Sequence, residues 1–401
     1  MSNLNQEIAP SAQALRRYPP VVFVLTAGIA VIGANSLALS PISAEVAASL
    51  AVAVPAVMAA TAAYGLGTAF AAVFLARSID RLGSKRVLSW ALAVLALAFG
   101  ASAAAPNAPA LVAAQVLAGL GAGVALPAIY ALAAEVAPPG RESETLGVVL
   151  TGWTLSLVAG VSLSAVVADL AHWRLVYALL VGAALLGLLA LLASPYRDAG
   201  GGRETAPSPL RALALPGVAR LLLVCAGYMI AFYGVYGYLG AHLHDRLGLP
   251  TSANGAVPLA YGIGFGAAAL LDRVIDRVGP ARAMPFAYLG IAAVYAALAL
   301  GSGGYLTIVA VALVWGLLNH FGLNLLILRL TAIDPARRGT ILGLNSAVTY
   351  LCVFLGTFGF GPLYSLYGFA ALAWLAAALC FFAAALTLPG LLERPAFPKR
   401  R

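Results

Sequence analysis

The chain has 401 residues, of which 62% are hydrophobic and only 9% charged, with a formal net charge of +9. A water-soluble domain needs roughly a quarter of its residues charged to cover its surface, so a globular protein in water is excluded and most of the chain must sit in lipid. The 23 Lys and Arg are scattered between apolar runs and share no face, so the positive charge does not point to nucleic acid.

A helical crossing of a bilayer takes about 20 apolar residues. Runs of that kind fall at 21–40, 50–75, 87–105, 110–133, 146–169, 174–194, 216–240, 254–271, 283–301, 305–328, 341–361 and 368–389. They predict an all-α integral membrane protein with twelve transmembrane helices. The first run is too long for a signal-peptide core and no A-x-A-like site follows it, so it is read as a retained helix. Of the Lys and Arg, only Arg174 and Arg246 fall in one of the two alternating sets of loops. The positive-inside rule then places both termini in the cytoplasm. The stretch near 194–216 is the one long polar interruption, rich in Gly, Pro and Arg, and reads as a flexible linker. The expected division is a cytoplasmic tail 1–20, a six-helix bundle 21–194, a linker 195–215, a second six-helix bundle 216–389 and a basic tail 390–401. Cys225, Cys352 and Cys380 lie inside apolar runs and read as small buried hydrophobes.

Two loops of opposite halves carry nearly the same peptide. Ala76-Arg77-Ser78-Ile79-Asp80-Arg81-Leu82-Gly83-Ser84-Lys85-Arg86 follows span 2, and Asp272-Arg273-Val274-Ile275-Asp276-Arg277-Val278-Gly279-Pro280-Ala281-Arg282 follows span 8. Gly83 and Gly279 permit tight turns with positive φ, and each Asp-Arg pair offers a carboxylate and a guanidinium at the cytoplasmic face. A duplicated six-helix unit with a matching basic turn is the pattern of a transporter built from two related bundles. The first copy resembles the signature loop of the major facilitator superfamily. Leu39-Ser40-Pro41, the glycine-rich Gln115–Gly123, Ala137–Arg141, His172-Trp173-Arg174 and Asp334–Gly339 are similar to stretches of its drug:proton antiporter and sugar efflux members. The resemblance implies two bundles in the major facilitator fold and a conformational latch made by Asp80, Arg81, Gly83, Arg86, Asp276, Arg277 and Gly279. It also implies a cavity lined by helices 1, 4, 7 and 10, inside a bacterial inner membrane.

This chain departs from the resemblance where coupling is concerned. Gln115 stands where efflux members carry an Arg, and Ser162 and Ser164 stand where the helix 5 pattern has Pro and Gly. No acid falls near the centre of a span, and ionisable groups at that depth are functional candidates by default. His320 is the exception, and sits with Trp315, Asn319 and Asn324 on adjoining faces of span 10. Tyr228, Tyr233 and Tyr236 in span 7, Asn35 in span 1 and Gln115 in span 4 complete the candidate cavity. Trp153 and Asn345 are weaker candidates, on helices the resemblance assigns to bundle contacts. His320 is also the candidate for proton coupling, because its reference pKa, about 6.5, lies in the working range. His242, His244 and Asp245 read as surface groups, not as a metal site, and the glycines near 119–123 and 262–266 as points of close helix approach. No Walker sequence is present, so ATP-driven pumping is not expected. No cofactor is expected, and the partners are a small-molecule solute and the lipid bilayer, with a monomer as the functional unit. The leading function is efflux of a small organic solute by alternating access. Uptake or facilitated diffusion is the alternative, and a non-transporting enzyme or sensor lacks a catalytic set or a soluble domain to support it.

Overall fold

The computed structural model describes residues 18–75, 78–138, 141–196, 198, 212–271, 277–334 and 337–392. Among them, eleven helical runs are long and apolar enough to cross a membrane. In hydrocarbon every backbone N–H and C=O must be bonded within its own segment, and the α-helix does this. We number the helices α1 (Pro20–Ser49), α2 (Val54–Phe74), α3 (Ser84–Ala103), α4 (Ala108–Val136), α5 (Glu142–Leu155, continuing to Leu170), α6 (Trp173–Ala193), α7 (Val218–Leu247), α8 (Ala256–Ala268), α9 (Pro280–Leu300), α10 (Tyr305–Ile333) and α11 (Arg338–Thr387). α11 is 50 residues long and is broken at Gly368, whose φ of 74° and ψ of −175° are not helical. Its two arms are 338–367 and 369–387.

The helix boundaries follow local chemistry. Proline, whose missing N–H is no loss in a first turn, opens α1, α2, α4 and α9. Asn107 caps α4 by accepting from the Ala110 N–H at 2.9 Å. Gly83 and Gly279 precede α3 and α9 with φ of 89° and 87°, so the two copies of the repeated peptide make the same turn. Two helices differ from the sequence pattern. α1 continues through Pro41 to Ser49 instead of ending there, and the Ser43 hydroxyl donates to the Ser40 carbonyl at 2.9 Å beside the proline. α5 contains a π-helical turn, Ser156–Val161, in which the Ser162 hydroxyl reaches back to the Leu157 carbonyl at 2.9 Å.

The buried apolar side chains form two clusters. One draws on α1 to α6 with Tyr350 and Val353, the other on α7 to α11 with Leu37, Met58, Leu157 and Val161. Each half holds at least one very close helix pair. A methyl added at Gly119 of α4 would lie 2.2 Å from the Tyr64 carbonyl of α2, and one at Gly264 of α8 would lie 1.9 Å from the Leu313 carbonyl of α10. Small residues let backbones approach where lipid supplies no other driving force.

The halves meet along α1–α7, α2–α11 and α5–α8. Gly240 approaches Ser40, Gly237 approaches Met58, Gly361 approaches Pro55, Gly65 approaches Val353, and Gly255 and Gly262 approach Ser162 and Val158. These contacts run from mid-depth to the face where α1 ends and α2 begins. Toward the opposite face, Gly147 on α5 and Gly339 and Gly343 on α11 have nothing within 4 Å of an added methyl.

Candidate functional site

At mid-depth a narrow pocket, with room for little more than a water molecule, lies between the halves, lined among others by Ser36 and Ser40 of α1, Thr61 of α2, Tyr233 and Tyr236 of α7 and Thr357 of α11. The Ser40 hydroxyl donates across the halves to the Tyr236 carbonyl. The Tyr236 hydroxyl is buried without a hydrogen-bond partner, although such groups in apolar surroundings normally find one. Tyr233 is half-buried and packs against the cores of both halves.

The candidates on α7 and α10 come together behind this pocket. Tyr236 stacks on Phe232 with ring centroids 5.5 Å apart, and Trp315 meets Phe232, Tyr261 and Tyr295, each at 5.4 Å. Asn319 donates to the Tyr261 hydroxyl at 2.9 Å, and its backbone carbonyl accepts from Tyr228 at 3.1 Å. Trp315 and Asn319 are both fully enclosed, so they support the wall of the site from behind. His320 and Asn324 lie on the half-buried side of α10, where the His320 ring meets Phe265 edge-on at 5.0 Å and Phe321 at 5.9 Å. Tyr261, Phe265 and Tyr295 were not singled out by the sequence, since a lone aromatic residue in an apolar run carries no signal of its face. Ser36, Thr61 and Thr357 were passed over for the same reason.

The candidates of the first half are placed apart from this cluster. Asn35 and Gln115 exchange two hydrogen bonds, of 3.1 and 3.3 Å, and Gln115 also donates to the Ser102 hydroxyl at 3.1 Å. Gln115 is 1% exposed. These amides join α1, α3 and α4 inside one half and satisfy each other.

At the basic loops, Gly83 and Gly279 make the turns already described, and Arg81 and Arg277 are exposed. Asp80 lies on a short helix, Ser78–Leu82, with its side chain outside the described residues, and Asp276 also lies outside them. Arg86 stands over the Trp90 ring at 5.5 Å. Its backbone N–H and that of Lys85 donate to the Asp198 carboxylate at 3.1 and 2.7 Å. Asp198 thus caps the N-terminus of α3, where the helix dipole favours a negative charge. Lys85 holds the carbonyls of Ser194 and Tyr196 at 2.7 and 2.8 Å, and Glu135 accepts from Ser84 and Tyr196, both at 2.6 Å. The start of the segment after α6 is therefore docked on the loop, which the sequence pattern of a flexible linker did not reveal. Just before α1, Tyr18 donates to Glu144, and that bond raises its hydroxyl above the ordinary tyrosine range.

Charged side chains among the described residues lie in the terminal turns of helices or between them. No group of three or more His, Cys, Asp or Glu that could hold a metal occurs among the described residues. The described residues thus form a polytopic helical bundle with a polar, aromatic pocket between its halves.

The chain belongs to the Major Facilitator Superfamily, whose profile matches residues 24–357. It is 26% identical over 386 residues to the uncharacterized MFS-type transporter YwfA of Bacillus subtilis (strain 168), covering 94% of this chain and 93% of that one. Over 232 residues it is 30% identical to the 3-(3-hydroxy-phenyl)propionate transporter of Escherichia coli (strain K12), covering 56% of each. A bacterial homologue of the human lysosomal transporter Spinster, solved inward-facing and unoccupied, shares the fold. The TM-score is 0.69 at 14% identity, covering 93% of this chain and 94% of that one.

Proposed function

We propose that the protein is a secondary transporter that exports a small neutral organic solute across a bacterial inner membrane by alternating access. Two six-helix bundles, 21–194 and 216–389, rock about the pocket between them, joined by the linker 195–215. The two arms of α11 count as separate crossings, which makes twelve and puts both termini in the cytoplasm. The expected unit is a monomer. The single observation that carries the reading is where the halves touch: their close glycine approaches run from mid-depth to one face, with the pocket at the mid-depth end. By the charge of the loops, the closed face is periplasmic.

The solute class follows from the lining. Hydroxyls and tyrosine rings line the pocket, and a carboxylate held there would lack a cationic partner. The named relative in Escherichia coli carries an aromatic acid; here we expect an aromatic or hydroxylated solute without that charge. Asn35, Gln115, Tyr228, Tyr233, Tyr236, Trp315, Asn319, His320 and Asn324 remain the proposed residues of the cavity and its supporting wall, with His320 the proposed proton carrier. Asp80, Arg81, Gly83, Arg86, Asp276, Arg277 and Gly279 form the proposed latch. The alternative is uptake or facilitated diffusion, and one observation speaks for it: Gln115, bonded to Asn35 and Ser102, brings no charge to sit beside a coupling proton.

The test is flux in proteoliposomes with paired neutral and carboxylated aromatic solutes, with and without a pH gradient. Faster flux of the neutral member is expected. Flux of the acid alone, or of neither, overturns the reading.

A further inference from the structure

Near the closed face, one side chain touches both halves at once. Asn254 lies in the turn Thr251–Gly255 that leads into α8, and is 2% exposed. Its Nδ2 donates to the Pro41 carbonyl of α1 at 2.6 Å and to the Gly240 carbonyl of α7 at 3.3 Å. An amide nitrogen carries two hydrogens, so one group holds a carbonyl from each half. The carbonyls are in reach because the helices touch: a methyl at Gly240 would lie 2.3 Å from the Ser40 oxygen and 2.8 Å from the Pro41 Cα. The turn is anchored within its own half, since the Tyr305 hydroxyl of α10 donates to the Ala253 carbonyl at 2.9 Å. Asn254 therefore travels with the second half and reaches across to the first.

The rest of the amide is left in deficit. Its Oδ1 is buried with no hydrogen-bond partner, beside a narrow pocket lined by Ser40, Pro41, Tyr236, Gly240 and Leu243 among others. Turning the amide over would aim Oδ1 at two carbonyl oxygens, so only the present orientation is attractive. A closed face that satisfies both donors and starves the acceptor is poised, because opening gives Oδ1 water and costs the bond to Pro41.

We infer that Asn254 is the pin of the periplasmic closure, a positioning residue that sets the balance between the two access states without touching solute. The inference rests on the alternating-access reading above. When α1 and α7 part at this face, the amide can follow only the Gly240 carbonyl. Losing the pin therefore favours the state open to the periplasm.

The experiment measures distances by double electron–electron resonance in purified protein with Cys225, Cys352 and Cys380 replaced by alanine. Spin labels go at Leu170→Cys and Leu300→Cys, exposed ends of α5 and α9 at the closed face. A second pair goes at Leu82→Cys and Val278→Cys, exposed at the opposite face. Asn254→Ala is expected to lengthen the first distance and shorten the second, raising the open-to-closed ratio about fivefold to tenfold, the effect of roughly one hydrogen bond. Tyr305→Phe, which loosens the same turn without crossing the halves, should change neither. Unchanged distributions in Asn254→Ala, simultaneous broadening of both, or an equal shift in Tyr305→Phe overturns the pin. Gly240→Ala supplies the wedge that separates the two readings. If it opens the face while Asn254→Ala does not, alternating access stands and the pin fails; if neither variant moves either distance, both fail together. Should the alanine variant not purify as a single species, Asn254→Asp carries the same test. Its carboxylate keeps the volume, repels both carbonyls and should open the face at least as far.

Discussion

His320 and the Asn35–Gln115 pair are polar groups inside the spans with different surroundings. The two amides satisfy each other in a closed arrangement, which makes them interhelical glue of the kind lipid-embedded bundles use. His320 sits half-buried beside Phe265. A coupled transporter needs a titratable group whose protonation favours one state, and a proton gains roughly 2.3 kcal/mol per 100 mV only if a group carries it. His320→Gln is therefore expected to equilibrate solute across the membrane but not to concentrate it, measured as solute accumulation driven by an imposed pH gradient. Accumulation as in the unmodified protein would assign the proton to a boundary carboxylate such as Glu135. Removing the first-half pair should act on stability instead: a double-mutant cycle of Asn35→Ala and Gln115→Ala is expected to give a coupling of about 0.6–1.7 kcal/mol.

Among the elements, α3 depends on a residue far from it in the chain. Its first turn follows Gly83, which cannot supply a side-chain cap, and the two N–H groups of Lys85 and Arg86 are taken by Asp198. Asp198→Ala should cost about 1 kcal/mol of stability, as lost N-caps do, and Asp198→Asn should recover most of it, read from thermal unfolding in detergent. An unchanged midpoint for the alanine variant would mean that water replaces the cap. α8 and α10 depend on a different device, the absence of any side chain at Gly264, without which their backbones would have to separate.

At the scale of the molecule, the latch proposed for the duplicated basic loops is expected to act in the conformational cycle and not in solute binding. Asp80→Asn is expected to lower the maximal transport rate while leaving the half-saturating solute concentration nearly unchanged. A large loss of solute binding with normal interconversion of the two states would remove Asp80 from the latch.

Much of this architecture was legible in residue order. The apolar runs, their lengths and the repeated peptide at Asp80 and Asp276 are local properties, and in lipid a run of about 20 apolar residues must be a helix because nothing else satisfies its backbone. Glycines 83 and 279 announced their turns because few other residues adopt positive φ. The facing of each helix was not legible. Lipid is as apolar as a protein core, so a transmembrane helix shows no polar side that marks which residues turn inward. The order of residues therefore did not show that the amides of Asn35 and Gln115 come within 3.1 Å of each other. Asn254 lay in an unremarkable turn until α1 and α7 placed two carbonyls before it. The partner of a polar atom at depth is a long-range fact, and only the tertiary structure decides it.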